Sequence, residues 1–126
     1  MTRNVVVTGL GVVSPIGADV ASYWDGLSSG TCGIVTRSWP VGDLAITAPG
    51  APVDGLEGRI KALGPSLGRA DRFSQMAALA ADEAISNAGL EFDEALGLRT
   101  ACIIGSGIGG QITFDHTYYA MLREAR

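Results

Sequence analysis

The sequence predicts an α/β fold, and three observations carry that reading. An apolar run at Val5-Val6-Val7 and another at Ala101-Cys102-Ile103-Ile104 read as strands, and Asp71 to Ala88 reads as a long helix between them. Both runs are unbroken rather than alternating, the pattern of a strand covered on both faces. Each ends in a glycine-punctuated turn. The first is Thr8-Gly9-Leu10-Gly11-Val12-Val13-Ser14-Pro15-Ile16-Gly17, and the second is Gly105-Ser106-Gly107-Ile108-Gly109-Gly110. Glycines in such places let backbone approach a ligand, a partner chain or another layer of the fold.

The elements follow in chain order. Asp19 is an N-cap for a helix from Val20 to about Ser29, with Val20, Tyr23, Trp24 and Leu27 as its apolar stripe and Gly30 as its stop. From Thr31 to Gly68 the periodicity dissolves. Pro40, Pro49, Pro52 and Pro65 exclude long regular elements, leaving short strands near Ile34-Val35 and Leu44 to Ile46. In the Asp71–Ala88 helix, Phe73, Met76, Ala77, Ala80, Ala84 and Ala88 recur at spacings of three and four. Its other face carries Leu79, Ala81 and Ile85, so the helix is expected to be buried nearly all round. Gly89-Leu90 fits a left-handed stop with a hydrophobic clasp. An acidic linker, Glu91 to Glu94, leads to the second apolar run, and a last helix spans Ile112 to Arg126. That helix has no closing cap, so the sequence is expected to stop within an element.

Bulk properties narrow the function classes. The 126 residues make about one domain; 47% are hydrophobic and 17% charged, against roughly 25% charged in an ordinary soluble domain. Glycine, at 18 residues, is about twice its usual share. Such a chain is expected to cover its surface against the rest of a larger polypeptide or a second subunit. The net charge of −4 and scattered Arg and Lys lack the basic stripe of a nucleic-acid binder. No apolar run reaches the ~18 residues of a membrane helix. Arg3 precedes an apolar stretch, but Thr8, the glycines and Ser14-Pro15 interrupt it, so it does not read as a signal peptide. The two cysteines form no disulfide framework, and a cytoplasmic setting is expected.

Gly105-Ser106-Gly107-Ile108-Gly109-Gly110 satisfies the GxGxxG pattern of a dinucleotide site, after a strand and before a helix. The ribose-binding acid should end a further strand about 20 residues on, and that region reads as helix. The first turn is similar to the start of a short-chain dehydrogenase, but Val12-Val13-Ser14-Pro15 stands where the later glycines belong. An NAD(P)-binding oxidoreductase is thus kept only as an alternative, and no cofactor is expected.

Four ordered blocks fit another family better. The stretch Val5 to Gly17 resembles the opening of the β-ketoacyl-acyl-carrier-protein synthases. Tyr23-Trp24 and Leu27 to Ile34 resemble that family's first helix and following turn. Asp71-Arg72-Phe73-Ser74-Gln75, continuing through Ala80 to Ala84 and Ala88-Gly89-Leu90, resembles its next long helix. Ile104 to Gly110 resembles the turn after its next central strand. The blocks span the chain, most weakly between Trp39 and Gly68, and fit fatty-acid and polyketide ketosynthases alike.

The resemblance implies a partial thiolase-like fold, the N-terminal part of one α/β half of an α-β-α-β-α layered homodimer. It implies decarboxylative Claisen condensation of acyl thioesters with malonyl-carrier protein, with acyl carrier protein as partner. The family's nucleophilic cysteine, two histidines and lysine lie further along than this chain reaches, so no catalytic residue is assigned in it. A silent, chain-length-factor-like relative remains an alternative. Ile108 matches a position lining the acyl pocket near the dimer interface, with Gly107, Gly109 and Gly110 holding backbone close to it. Lys61, Arg69 and Arg72 correspond to the region that receives acidic carrier protein, although Pro65 and Gly68 stand where basic residues are often found.

The remaining reactive residues read as structural. Cys102 is expected to be a buried, inert hydrophobe. Cys32 has no evident basic neighbour. His116, the only histidine, would need a thiol beside it to serve a hydrolase. Asp82 and Glu83 are adjacent on a helix and do not share a face. One histidine and two separated cysteines give no metal site. Tyr118 and Tyr119 are expected to pack on the remainder of the protein or on a second subunit.

Overall fold

The computed structural model describes residues 4–124. In order, the elements are helix α1 (Val20–Ser28), strands β1 (Val35–Val41) and β2 (Leu44–Gly50), and helices α2 (Glu57–Ala62), α3 (Pro65–Gly68), α4 (Arg72–Ala88), α5 (Glu94–Gly97) and α6 (Gln111–Glu124). Arg3, and the last two positions of the expected final helix, lie outside the described residues.

Both amphipathic helices sit where their signals place them. Asp19 caps α1 in a reciprocal capping box: its carboxylate accepts from the Ser22 amide at 2.8 Å and from the Ser22 hydroxyl at 2.7 Å. The Ser22 hydroxyl and amide hold the Asp19 carboxyl below its ordinary value of 3.8. Gly30 (φ 70°) ends the helix. Helix α4 closes in a left-handed stop at Gly89 (φ 62°), where the Leu90 amide reaches back to the Ile85 carbonyl at 3.2 Å.

The region between them is more regular than its prolines predict. Strands β1 and β2 pair antiparallel over seven residues each, from Val35↔Gly50 to Val41↔Leu44. Gly42 (φ 60°) takes the first central position of a two-residue turn, as type II′ geometry requires. Counting from the Val41–Leu44 pair that closes the turn, Pro40 and Pro49 fall at non-hydrogen-bonded positions. There the residue's amide side faces away from the partner, so neither proline removes a ladder bond. Pro65 opens α3 at its first turn, where no amide is needed.

The two apolar runs differ from expectation. Neither Val5–Val7 nor Ala101–Ile104 forms a strand, and the only sheet among the described residues is the β1–β2 hairpin. Val5 is 94% exposed and Ile103 92%. Cys102 is likewise exposed, not buried. The reason is geometric: a central strand exists only as one rung of a ladder, and this chain supplies no neighbouring strand to either run. Helix α4 is also less enclosed than its composition predicts. Leu79 alone on it is buried, and Ala81, Ile85 and Ser86 face outward. On α1, Trp24 and Leu27 of the apolar stripe are exposed, and Gly26 is the buried residue.

What holds the chain together is a small core and one close backbone contact. Leu56, Ile60 and Leu79 form the core, with Val13, Ala18, Val53, Leu67 and Met76 packed on it. The first glycine turn lies directly on α4. A Cβ on Gly11 would overlap the Ala80 carbonyl, and one on Gly9 the Ala84 carbonyl. Glu83 locks that contact: its carboxylate accepts from the Val12 amide at 2.8 Å and from the Val20 amide, at the start of α1, at 2.7 Å. The Asn87 side-chain carbonyl accepts from the Leu10 amide at 3.3 Å. The Arg59 guanidinium donates to the Ala18 carbonyl. The accessible surface is 10030 Å², whereas a compact monomer of 13.0 kDa exposes roughly 6,300 Å².

Two outcomes follow for stability. Glu83→Ala, which leaves the Val12 and Val20 amides without their acceptor, is expected to cost about 2–3 kcal/mol. Glu83→Gln, keeping one oxygen, should cost about half that in chemical denaturation. An equal loss for both variants would show that the carboxylate's two-pronged reach is not what matters. The Asp19 carboxyl is lowered in the folded state, so its contribution is present above 3.8 and lost as pH falls through the folded value. Helicity of α1 is expected to decrease in that acid range, and Asp19→Asn should remove the pH dependence, read by circular dichroism.

Candidate functional site

The second glycine turn is built on the start of α4. Gly109 adopts φ 75°, and its amide donates to the Ser106 hydroxyl at 2.9 Å. The Phe114 amide bonds the Gly110 carbonyl at 3.0 Å and so opens α6. A Cβ on Gly110 would lie 2.5 Å from Asp71 Oδ2, and one on Gly109 would meet the Phe73 ring at 3.8 Å. The Thr113 hydroxyl donates to Asp71 Oδ1. Gly110 is therefore pressed against Asp71 and Gly109 lies near Phe73, while Gly107 meets open space and Ile108 projects outward, 81% exposed.

The basic candidates divide. Lys61 and Arg72 line one cavity of about 320 Å³ between α2, α3 and α4, together with Glu57, Ile60 and Gln75. Arg69 is exposed but does not line it. Arg72 is committed to the fold: one guanidinium nitrogen donates to the Val53 carbonyl at 2.6 Å and another to Gln75 Oε1 at 3.4 Å. Gln75 in turn donates to the Leu67 carbonyl at 3.2 Å. Lys61 is exposed at the cavity rim. Sequence reasoning missed Asp71 and Gln75, because an Asp at a helix start reads as a cap and a lone Gln carries no signal.

The other reactive residues assemble nothing. Cys32 and Cys102 are both exposed free thiols. His116 borders a cavity of about 530 Å³ with Gly42, Tyr119 and Arg123, and neither cysteine lines it. Cys102 instead borders an open apolar cleft along Ser74, Ala77, Ala78 and Ala81 of α4. No group of three potential metal ligands occurs among the described residues. No described helix is long and apolar enough to cross a membrane.

The structural and docking readings of the basic pair separate by mutation. Arg72→Ala is expected to destabilise the chain by about 1–2 kcal/mol through its lost carbonyl bond. Lys61→Ala should stay within about 0.5 kcal/mol of wild type. A stability loss at Lys61 equal to that at Arg72 would make Lys61 a framework residue.

Comparison with known proteins supplies the context for these two features. The sequence model described as "Beta-ketoacyl synthase, N-terminal domain" matches residues 2–126. A Streptomyces cyaneus protein with the provisional name polyketide beta-ketoacyl synthase 1 is 40% identical over 94% of this chain and 28% of its own length. The 3-oxoacyl-[acyl-carrier-protein] synthase 2 of Coxiella burnetii is 36% identical over 95% of this chain and 29% of its own length. The protein of the same name from Staphylococcus aureus (strain COL) is 38% identical over 90% of this chain and 27% of its own length. No solved structure matches. The chain thus spans a little over a quarter of each of these relatives, and it belongs to the β-ketoacyl synthase family, as an N-terminal domain sequence.

Proposed function

We propose that this chain is the N-terminal part of a β-ketoacyl-acyl-carrier-protein synthase with a thiolase-like, homodimeric architecture, working in the cytoplasm on carrier-bound acyl and malonyl thioesters. The observation that carries this reading is the family match across residues 2–126, joined by relatives named for that activity. In the reaction, a cysteine thiolate displaces the carrier thiol from an acyl thioester. Malonyl-carrier protein then loses carbon dioxide, and the resulting carbanion attacks the acyl-enzyme carbonyl and expels the thiolate. The nucleophile of such an enzyme lies beyond these residues. Cys32 and Cys102 do not take its place, since neither stands beside His116 in a common cavity.

On this reading the second glycine turn is a wall of the acyl pocket. Ile108 projects from a turn that lies against the start of α4 and is left exposed by the described residues. An aliphatic tail and a second subunit would both find it available. The Lys61 and Arg72 cavity would receive the acidic carrier, with Lys61 as the free charge and Arg72 as part of the frame.

The test is a condensation assay. The synthase polypeptide that begins with these residues is expected to convert acyl- and carboxyl-labelled malonyl-carrier protein to 3-oxoacyl-carrier with release of labelled carbon dioxide. Residues 1–126 alone are expected to release none. Ile108→Phe should lower kcat/KM for long acyl groups about tenfold relative to short ones, because added volume in an apolar pocket excludes methylenes. Decarboxylation without condensation by the synthase polypeptide would point to a silent, pocket-shaping relative, and an unchanged length profile in Ile108→Phe would remove Ile108 from the pocket.

A further inference from the structure

Asp71 stands at the N-cap of α4, the position where Asp most often accepts from its own helix, yet its side chain makes no capping bond. The carboxylate is turned to the second glycine turn instead. Oδ1 accepts from the Thr113 hydroxyl in the first turn of α6, and Oδ2 fills the space where a Gly110 side chain would stand. The next residue, Arg72, points the other way, to the Val53 carbonyl and the cavity it shares with Lys61. Two consecutive residues at one helix start therefore grip two different surfaces.

We propose that Asp71 is a positioning residue: it fixes the attitude of the Gly105–Gly110 turn against α4 and thereby sets where Ile108 stands and which acyl lengths pass it. The selectivity half of this rests on the acyl-pocket reading above; the anchoring half does not. The Asp71 carboxylate makes no cap and lies against Gly110, and the Phe73 ring lies near Gly109. Thr113 shares that anchor, so removing either partner should free the same backbone.

The experiment compares Asp71→Ser, Asp71→Asn, Thr113→Val and the Asp71→Ser/Thr113→Val pair. Ser caps a helix as well as Asp does but is too short to span to Thr113, whereas Asn keeps an acceptor at the Oδ1 position. Amide hydrogen exchange at residues 109–114 is expected to quicken about tenfold in Asp71→Ser and Thr113→Val. The double variant should go no further, Asp71→Asn should stay near wild type, and exchange in the second half of α4 should not change. Unchanged exchange at 109–114 in Asp71→Ser would overturn the anchor. In the synthase assay, Asp71→Ser and Thr113→Val should alter the long-to-short ratio of kcat/KM about threefold, with Asp71→Asn restoring it. A loosened turn with an unaltered ratio, while Ile108→Phe still shifts that ratio, would overturn the selectivity role alone. No shift with Ile108→Phe would instead fail the pocket reading and leave the anchor standing.

Discussion

A single carboxylate ties the chain's two halves together. Glu83, one turn from the end of α4, accepts from Val12 in the first glycine turn and from Val20 at the start of α1. Those amides are 71 and 63 residues away in sequence. Val20 also presents the positive end of the α1 dipole, where an anion is favoured. The two hydrogen bonds to this half-buried charge together contribute roughly 2–3 kcal/mol. The one ion pair among the described residues, Arg37–Asp54, joins side chains 47% and 69% exposed, and such pairs contribute about 0–1 kcal/mol. With a buried core of three residues, the Glu83 clasp is a principal tertiary constraint rather than an accessory to one.

Glu83 can reach both amides only because the turn touches the helix backbone. Gly9 and Gly11 rest on Ala80, Ala84 and Ala88, where a side chain on either glycine would hold the two apart. Helix α4 is divided accordingly. Its alanine stripe receives the turn, Leu79 and Met76 face the core with Leu56 and Ile60, and Ser74, Ala77, Ala78 and Ala81 border the cleft beside Cys102 to Gly105. The first glycine turn and the second apolar run thus both lie along one helix.

This division explains which features were legible in the sequence. The helices α1 and α4 were, because caps and a 3.6-residue period are local: Asp19, Gly30 and Gly89 all act as read. The hairpin was half legible. Ile46 and Val35 marked it, but the prolines concealed it, since their harmlessness depends on ladder register and not on composition. Val5–Val7 and Ala101–Ile104 carry the signature of enclosed strands, and that signature refers to neighbouring strands that the described residues do not supply. Of the candidate site, the glycine turn was visible as a motif and Lys61, Arg69 and Arg72 as one basic region, of which only Lys61 and Arg72 share a cavity. Asp71 and Glu83 were not, because each acts on backbone or side chains more than 40 residues away, and no short-range pattern records that.

The surplus of exposed surface gives these placements their meaning. A globule that needed only itself would not leave Val5, Ile103 and Ile108 each more than four-fifths exposed while spending its closest packing on glycine against alanine. Close packing is concentrated where it fixes the direction in which the two runs leave α4, and it is absent from the runs themselves. That is the distribution expected of a scaffold whose partners arrive from elsewhere in a larger protein. Its close packing lies in the helix and the two turns, and its apolar surface is left exposed on the runs. On the function proposed above, the contribution of this domain is positional. It fixes two glycine turns, and each of them rests on a carboxylate of α4 or its cap.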